Sequence, residues 1–181
     1  MILKTIKEDV RTARSKDPAA TGALTVVLLY SGVHAVWGYR IAHALWARDF
    51  RFSARFLSQL VRLLTGVEIH PAAEIGRRLF IDHGDGVVIG ETAEIGDDVL
   101  LYHGVTLGGD SMRREKRHPT LGDGVSGGAN ATLLGDITVG EAASVGAGSV
   151  VVDDVPPGVT VAGVPAERID APAESKRSHS G

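Results

Sequence analysis

From Ile69 onward an aliphatic residue returns at six-residue intervals: Ile69, Ile75 and Ile81, then Ile89, Ile95, Leu101 and Leu107. After a polar interruption the series resumes at Leu121 and continues through Leu133, Val139, Val145 and Val151. Small or β-branched residues fill the place four further on, as at Val99, Val105, Val125, Ala131, Ile137, Ala143, Ser149 and Val155. Glycine often follows the aliphatic position, as at Gly76, Gly90, Gly96, Gly108, Gly122, Gly140 and Gly146. A period of six is neither helical nor the alternation of an ordinary strand. It predicts a parallel β-helix in which each hexapeptide gives one short strand and one turn. One coil cannot bury its own apolar face, so stacked coils share a continuous core.

Ahead of the repeat the period changes. Ile2, Ile6, Val10 and Ala13 recur at helical spacing over 2–16, and Asp17-Pro18 ends that segment because a residue before proline is pushed out of the α region. Further helical segments are predicted over about 21–31 and over 34–48, the latter with Trp37, Ile41, Ala44 and Leu45 on one face. A fourth, over 52–64, carries Phe52, Phe56, Leu60 and Leu63 on one face, Arg51, Arg55 and Arg62 elsewhere, and Gly66 as its C-cap. The apolar side of this basic amphipathic helix is expected to pack on neighbouring helices or on a partner chain rather than on a membrane. The expected architecture is α+β: a helical cap over 1–66, the β-helix over 67–165, and a polar tail over 166–181 with no fold of its own.

Two irregularities interrupt the repeat. The step from Ile81 to Ile89 is eight positions, across Asp82-His83-Gly84-Asp85-Gly86, and the step from Leu107 to Leu121 is fourteen, across a charged segment ending in Arg117-His118-Pro119. A regular solenoid has no structural need of extruded polar loops, and such loops are where sites are built.

Composition narrows the setting. The 181 residues suffice for a sizeable core, and 19 basic against 22 acidic residues, a net charge of −3, leave no nucleic-acid footprint. With no cysteine there is no disulfide framework and no thiolate chemistry. The N-terminus lacks a signal-peptide core, and the apolar run from Leu24 to Tyr30 is far shorter than the roughly 20 residues a membrane span takes. A soluble cytoplasmic protein is expected, with no membrane or nucleic-acid partner.

The first irregularity holds the clearest chemistry. Glu68 and His83 are 15 positions apart, against about 18 in three hexapeptides, which would place them on adjacent coils at nearly the same angle. A carboxylate there holds one imidazole nitrogen as donor and leaves the other free as a base. Spacing alone also allows a surface acid beside a loop histidine satisfied by backbone. Arg117-His118 fits carboxylate binding, with arginine as a bidentate fork, and fits equally a solvated basic loop after Arg113, Arg114 and Lys116.

The segments Glu68-Ile-His-Pro-Ala-Ala-Glu-Ile-Gly, Ile81-Asp-His-Gly, Val87-Val-Ile-Gly-Glu-Thr, Val105-Thr-Leu-Gly-Gly, Arg117-His-Pro-Thr-Leu-Gly and Gly146-Ala-Gly-Ser-Val-Val closely resemble the serine O-acetyltransferases. In the helical part, Asp17-Pro-Ala and His34-Ala-Val-Trp-Gly-Tyr-Arg-Ile-Ala-His resemble the same family. The resemblance implies a left-handed β-helix and direct acetyl transfer from acetyl-CoA to the hydroxyl of L-serine, in cysteine biosynthesis and without a metal. It makes His83 the base and Glu68 its support. Asp17 and Asp82 would hold the serine ammonium, and Arg117 and His118 its carboxylate. Gly109, Ala129 and Ala147 would line the CoA channel, and Glu91 matches an acid near the site. It further implies a homotrimer, or a dimer of trimers, with sites between subunits and L-cysteine as a feedback inhibitor.

The chain departs from that pattern in four places. Glu68 stands where aspartate is usual, and Gly127 occupies an inward repeat position, a loss of core volume of the kind that costs roughly 2–5 kcal/mol for a full Leu-to-Ala cavity. The helical cap is short, which leaves trimer against hexamer open. The chain ends in Ser178-His-Ser-Gly181 rather than in isoleucine, which argues against docking into O-acetylserine sulfhydrylase. Three other readings compete. One is an acetyltransferase for another amino acid or a sugar, and a second is a non-catalytic scaffold. The third is a γ-class carbonic anhydrase with zinc on histidines such as His70, His83, His103 or His118, though none of these pairs has the close spacing that class uses.

Overall fold

The computed structural model describes residues 2–169. Four helices come first: α1 (Ile2–Lys16), α2 (Ala23–Leu29), α3 (Ser31–Trp46) and α4 (Arg51–Thr65). α1 stops one residue before Asp17-Pro18. α4 stops at Gly66, whose left-handed backbone (φ 73°) turns its N–H onto the Arg62 carbonyl. No helix among the described residues is long and apolar enough to cross a membrane.

The repeat then winds through three sheets in turn. The first contains Glu68–Ile69, Val88–Ile89, Thr106–Gly108, Thr132–Leu134 and Val150–Val151. The second contains Glu74–Ile75, Glu94–Ile95, Thr120–Leu121 and Thr138–Val139. The third contains Phe80–Asp82, Leu100–Tyr102, Ser126–Gly127, Ser144–Val145, Thr160–Ala162 and Glu167–Ile169. Pairing is parallel from coil to coil, and Ile81, Ile89, Leu101, Leu107 and Leu133 are fully buried in the shared core. Both irregular steps in the sequence are corners: Asp82–Gly86 lies between the third sheet and the first, and the 109–119 loop between the first and the second.

The gap feared at Gly127 is filled. A Cβ placed there would lie 3.0 Å from Leu101 Cδ2 and 3.6 Å from a Val105 methyl, so the neighbours occupy the missing volume. Gly127→Leu should therefore overpack the core and cost about 1–3 kcal/mol. A urea titration reads this, and an unchanged midpoint would mean a void was present.

The helical cap answers a hydrogen-bonding problem at the start of the solenoid. Neighbouring coils exchange backbone bonds in both directions, as from Glu68 N–H to the Val87 carbonyl at 2.9 Å and from Gly86 N–H to the Gly66 carbonyl at 3.0 Å. First-coil carbonyls that face away from the second coil have no earlier coil to meet them, and unpaired buried carbonyls are costly. Ser58 Oγ donates to Ile69 C=O at 2.8 Å, His43 Nδ1 to Pro71 C=O at 2.9 Å, and the Tyr39 hydroxyl to Ala73 C=O at 2.5 Å.

Two expectations, for α3 and the tail, need correction, and that for α4 is narrowed. α3 buries Gly32, Val33, Ala35, Val36, Tyr39 and Ala42, while Ile41 is exposed. This helix is pressed against α4 as well as α1 and the first coil, so small residues that permit close approach occupy the packed sides. α4 likewise turns Ala54 and Ser58 inward and leaves Phe52 (84% exposed), Phe56 and Leu63 (81%) uncovered within the chain. The tail expected from 166 is structured at Glu167–Ile169, which pairs antiparallel with Thr160–Ala162 and covers the open edge of the third sheet. Its remaining residues lie outside those described.

Candidate active site

At the first corner, Asp82 closes its strand and the chain reverses through His83 (φ 61°), Gly84 (φ 81°) and Gly86 (φ 75°). A histidine in the left-handed region is uncommon and must be held there. Ser31 Oγ, at the first turn of α3, donates to the His83 carbonyl at 2.9 Å. The imidazole itself stands free, 75% exposed, with Nε2 3.9 Å from Asp82 Oδ2. Its ring meets the edge of His103 on the next coil, centroids 5.9 Å apart.

The helical cap supplies the third group. Asp17, just past α1, accepts the Tyr30 hydroxyl on Oδ2 and the Ala19 N–H on Oδ1 at 2.7 Å. These two bonds, the tyrosine's foremost, hold its carboxyl below the usual range, with a smaller contribution from His83. The same bond, followed by burial, pushes the Tyr30 hydroxyl up to about 12, so that it stays a donor across the neutral range. Asp17, Tyr30, Ser31, Asp82 and His83 line one cavity of about 320 Å³. Two carboxylates beside an exposed imidazole suit a cationic ligand whose neighbouring group is to lose a proton.

The second corner gathers the other predicted residues. Arg117 Nη2 lies 2.5 Å from Glu91 Oε2, and that bond is the main reason the Glu91 carboxyl sits below its ordinary range. Glu91 thus acquires a role, that of holding the guanidinium. Thr92 anchors the loop: its hydroxyl accepts the N–H groups of Arg117 (3.0 Å) and His118 (3.2 Å), and its carbonyl accepts Lys116 Nζ at 2.7 Å. His118 is buried, and its Nδ1 accepts the Thr92 N–H at 3.2 Å with the Thr92 hydroxyl 2.8 Å away, which leaves the ring proton on Nε2. Burial, then Arg117, keeps its pKa low, so it is a neutral donor. Gly90 is required here, because a Cβ would lie 1.9 Å from His118 Cδ2. Burial also pulls His70 down to about 4. Glu91, Thr92, Arg113, Arg114 and Arg117 face a cavity of about 600 Å³.

The structure therefore brings Asp17, Asp82 and His83 together, and Arg117 and His118 together, but at different corners of one chain. The register around Glu68 differs from the one its spacing assumed. Glu68 pairs with Val88, and Asp82 with Tyr102, so a coil is 20 residues long here and His83 meets His103 instead. The Glu68 carboxylate is bound by Arg62 Nη1 of α4 at 2.8 Å. Ala129 and Ala147 stack in successive coils at the first corner, the Gly148 N–H donating to the Ala129 carbonyl at 2.8 Å, whereas Gly109 begins the loop at the second. His83 and His103 share one corner, and among the described residues no three His, Cys, Asp or Glu side chains stand together as a metal site.

Sequence reasoning missed Tyr30, Ser31, Thr92 and Arg62. Thr92 had a faint signal as the polar end of Gly-Glu-Thr at a turn, while Tyr30 and Ser31 act on partners far away in the chain and Arg62 reaches Glu68 across the end of α4.

No family model matches the chain. It is 57% identical over 168 residues to the serine acetyltransferase of Mycobacterium tuberculosis, covering 93% of this chain and 73% of that protein. It is 59% identical over 154 residues to the Helicobacter pylori serine acetyltransferase, covering 85% and 90%. Among solved structures it is similar to the Neisseria gonorrhoeae serine acetyltransferase in complex with serine (TM-score 0.90, 44% identity, 93% of this chain and 69% of that one). It is also similar to the Brucella abortus serine acetyltransferase in complex with coenzyme A (TM-score 0.90, 41% identity, 92% and 67%). A serine acetyltransferase in complex with cysteine superposes at TM-score 0.92, with 41% identity over 93% of this chain and 70% of that one.

Proposed function

The chain belongs to the serine acetyltransferase family, and from that premise we infer that it transfers the acetyl group of acetyl-CoA to the hydroxyl of L-serine. The observation that carries this reading is the cavity shared by Asp17, Asp82 and His83. The serine ammonium binds between the two carboxylates, and the hydroxyl is left beside the imidazole. That hydroxyl is a poor nucleophile until a positioned base takes its proton. His83 takes it as the oxygen attacks the thioester carbonyl. The new C–O bond forms, the C–S bond breaks, and the departing CoA thiolate recovers the proton from the imidazolium. Asp82 flanks the ring, and in this reading Glu68, whose carboxylate Arg62 holds within the chain, turns to support the positive charge that develops on it.

A serine carboxylate also needs a cation, and among the described residues no lysine or arginine lines the cavity of Asp17, Asp82 and His83. In this reading a second copy supplies Arg117 and His118, three chains standing around a common axis so that the first corner of one faces the second corner of the next. The uncovered apolar face of α4 is a second surface for such contacts. CoA lies in the same cleft, between Ala129 and Ala147 of one copy and Gly109 of the other. L-Cysteine carries the same ammonium and carboxylate as serine, so it competes for the site.

The test is an acceptor panel of L-serine, L-threonine and amino sugars incubated with acetyl-CoA, with products identified by mass spectrometry. O-Acetyl-L-serine is the expected main product. Acetylation confined to a sugar would overturn the assignment.

A further inference from the structure

The break between α2 and α3 falls at Tyr30, whose backbone (φ −90°, ψ 100°) leaves the helical region for one residue. Two consecutive side chains at this break reach two different parts of the site. The Tyr30 hydroxyl donates to Asp17 Oδ2, and Ser31 Oγ donates to the His83 carbonyl at 2.9 Å. The start of α3 is seated directly on the strand that carries Asp82. A Cβ at Gly32 would lie 2.0 Å from the Ile81 carbonyl oxygen, so no other residue permits this approach. Gly84 packs against the same turn, its Cβ position 3.5 Å from Ser31 Oγ and 3.6 Å from Gly32 Cα. Asp17 is thus bonded on both oxygens, one to Ala19 and one to Tyr30, with its remaining lone pairs open to the cavity. His83, in a backbone conformation that it adopts at a cost, is tethered through its carbonyl.

We propose that Tyr30-Ser31 is a positioning element that sets the two halves of the first corner separately. Tyr30 orients the carboxylate that receives the substrate ammonium, and Ser31 holds the backbone that aims the His83 imidazole. The inference rests on the reading of the site given above. Neither residue touches the reacting atoms, so their effects divide between binding and turnover. Loss of the phenolic hydroxyl leaves Asp17 free to rotate and weakens serine binding. Loss of the Ser31 hydroxyl leaves the carboxylates in place but lets the base drift, and small misplacements of a reacting group are expensive.

Initial rates with serine varied at saturating acetyl-CoA test this. Tyr30→Phe should raise the KM for serine roughly 5- to 15-fold, with a much smaller change in kcat. Ser31→Ala should lower kcat roughly 5- to 15-fold with KM nearly unchanged, and Ser31→Thr, which keeps the hydroxyl, should recover most of that loss. A change of both parameters in the same proportion for both variants, as a purely structural role would give, overturns the proposal, as does wild-type behaviour in both. If the wild-type protein itself shows no serine-dependent turnover, the functional reading fails and this inference with it.

Discussion

Exchange of His83 is expected to lower kcat by about 10²- to 10⁴-fold, the range a positioned general base contributes. The imidazole is 75% exposed, so its removal leaves no cavity and should spare the fold and the assembly. The backbone needs more care, since residue 83 sits at φ 61°, where alanine is disfavoured. Asparagine tolerates that region far better and cannot act as the base. His83→Asn is therefore the sharper variant and His83→Ala its companion. Both should elute as the wild type does on size exclusion and both should be nearly inactive. Turnover like that of the wild type in either one would remove His83 from the mechanism.

The second large effect is expected at Arg117. A hydrogen-bonded charge pair is worth about 1.5–3 kcal/mol, so Arg117→Ala should raise the KM for serine roughly 10- to 150-fold with a smaller loss in kcat. The neighbouring Glu91, whose carboxylate the guanidinium now holds, would be left facing the substrate carboxylate and would add repulsion. Arg117→Lys keeps the charge but not the planar fork, and should fall between the two. Steady-state kinetics with serine varied decides this. An unchanged KM would leave Arg117 with only its contacts inside the chain, to the Glu91 carboxylate and to the carbonyls of Arg113 and Glu115.

The solenoid and its two corners were legible in the sequence because the coil imposes a fixed period on the aliphatic positions, and each departure from that period must leave the sheet. The register of Glu68 relative to His83 was misjudged for the same geometric reason. The extra residues at Asp82–Gly86 lengthen the coil to the 20 positions between Glu68 and Val88, so His83 falls five positions before the residue that pairs with Glu68. The burial of α3 was hidden because the helix packs on α4, on α1 and on the first coil, and small residues set the distance to each. Tyr30 and Ser31 left no mark, since their partners, Asp17 and His83, lie 13 and 52 positions away. A hydrogen bond made at such separation has no local pattern. The structured segment Glu167–Ile169 was missed because its three residues are polar or exposed, and pairing with an open edge needs no apolar periodicity.

The central claim is that one site is assembled from two copies, His83 with Asp17 and Asp82 from one and Arg117 with His118 from the next. The most direct test mixes the two crippled proteins. His83→Asn and Arg117→Ala chains are unfolded together in equal amounts, refolded, and assayed for release of CoA from acetyl-CoA with serine held well below the KM of the Arg117 variant. Random assembly of symmetric copies gives an intact pair, wild-type His83 facing wild-type Arg117, at about a quarter of the sites. Activity should therefore return to roughly a quarter of that of refolded wild-type protein, while each variant refolded alone stays near background. Mixed assemblies that form but recover no activity would place both residues in a site built within one chain, and would contradict the account.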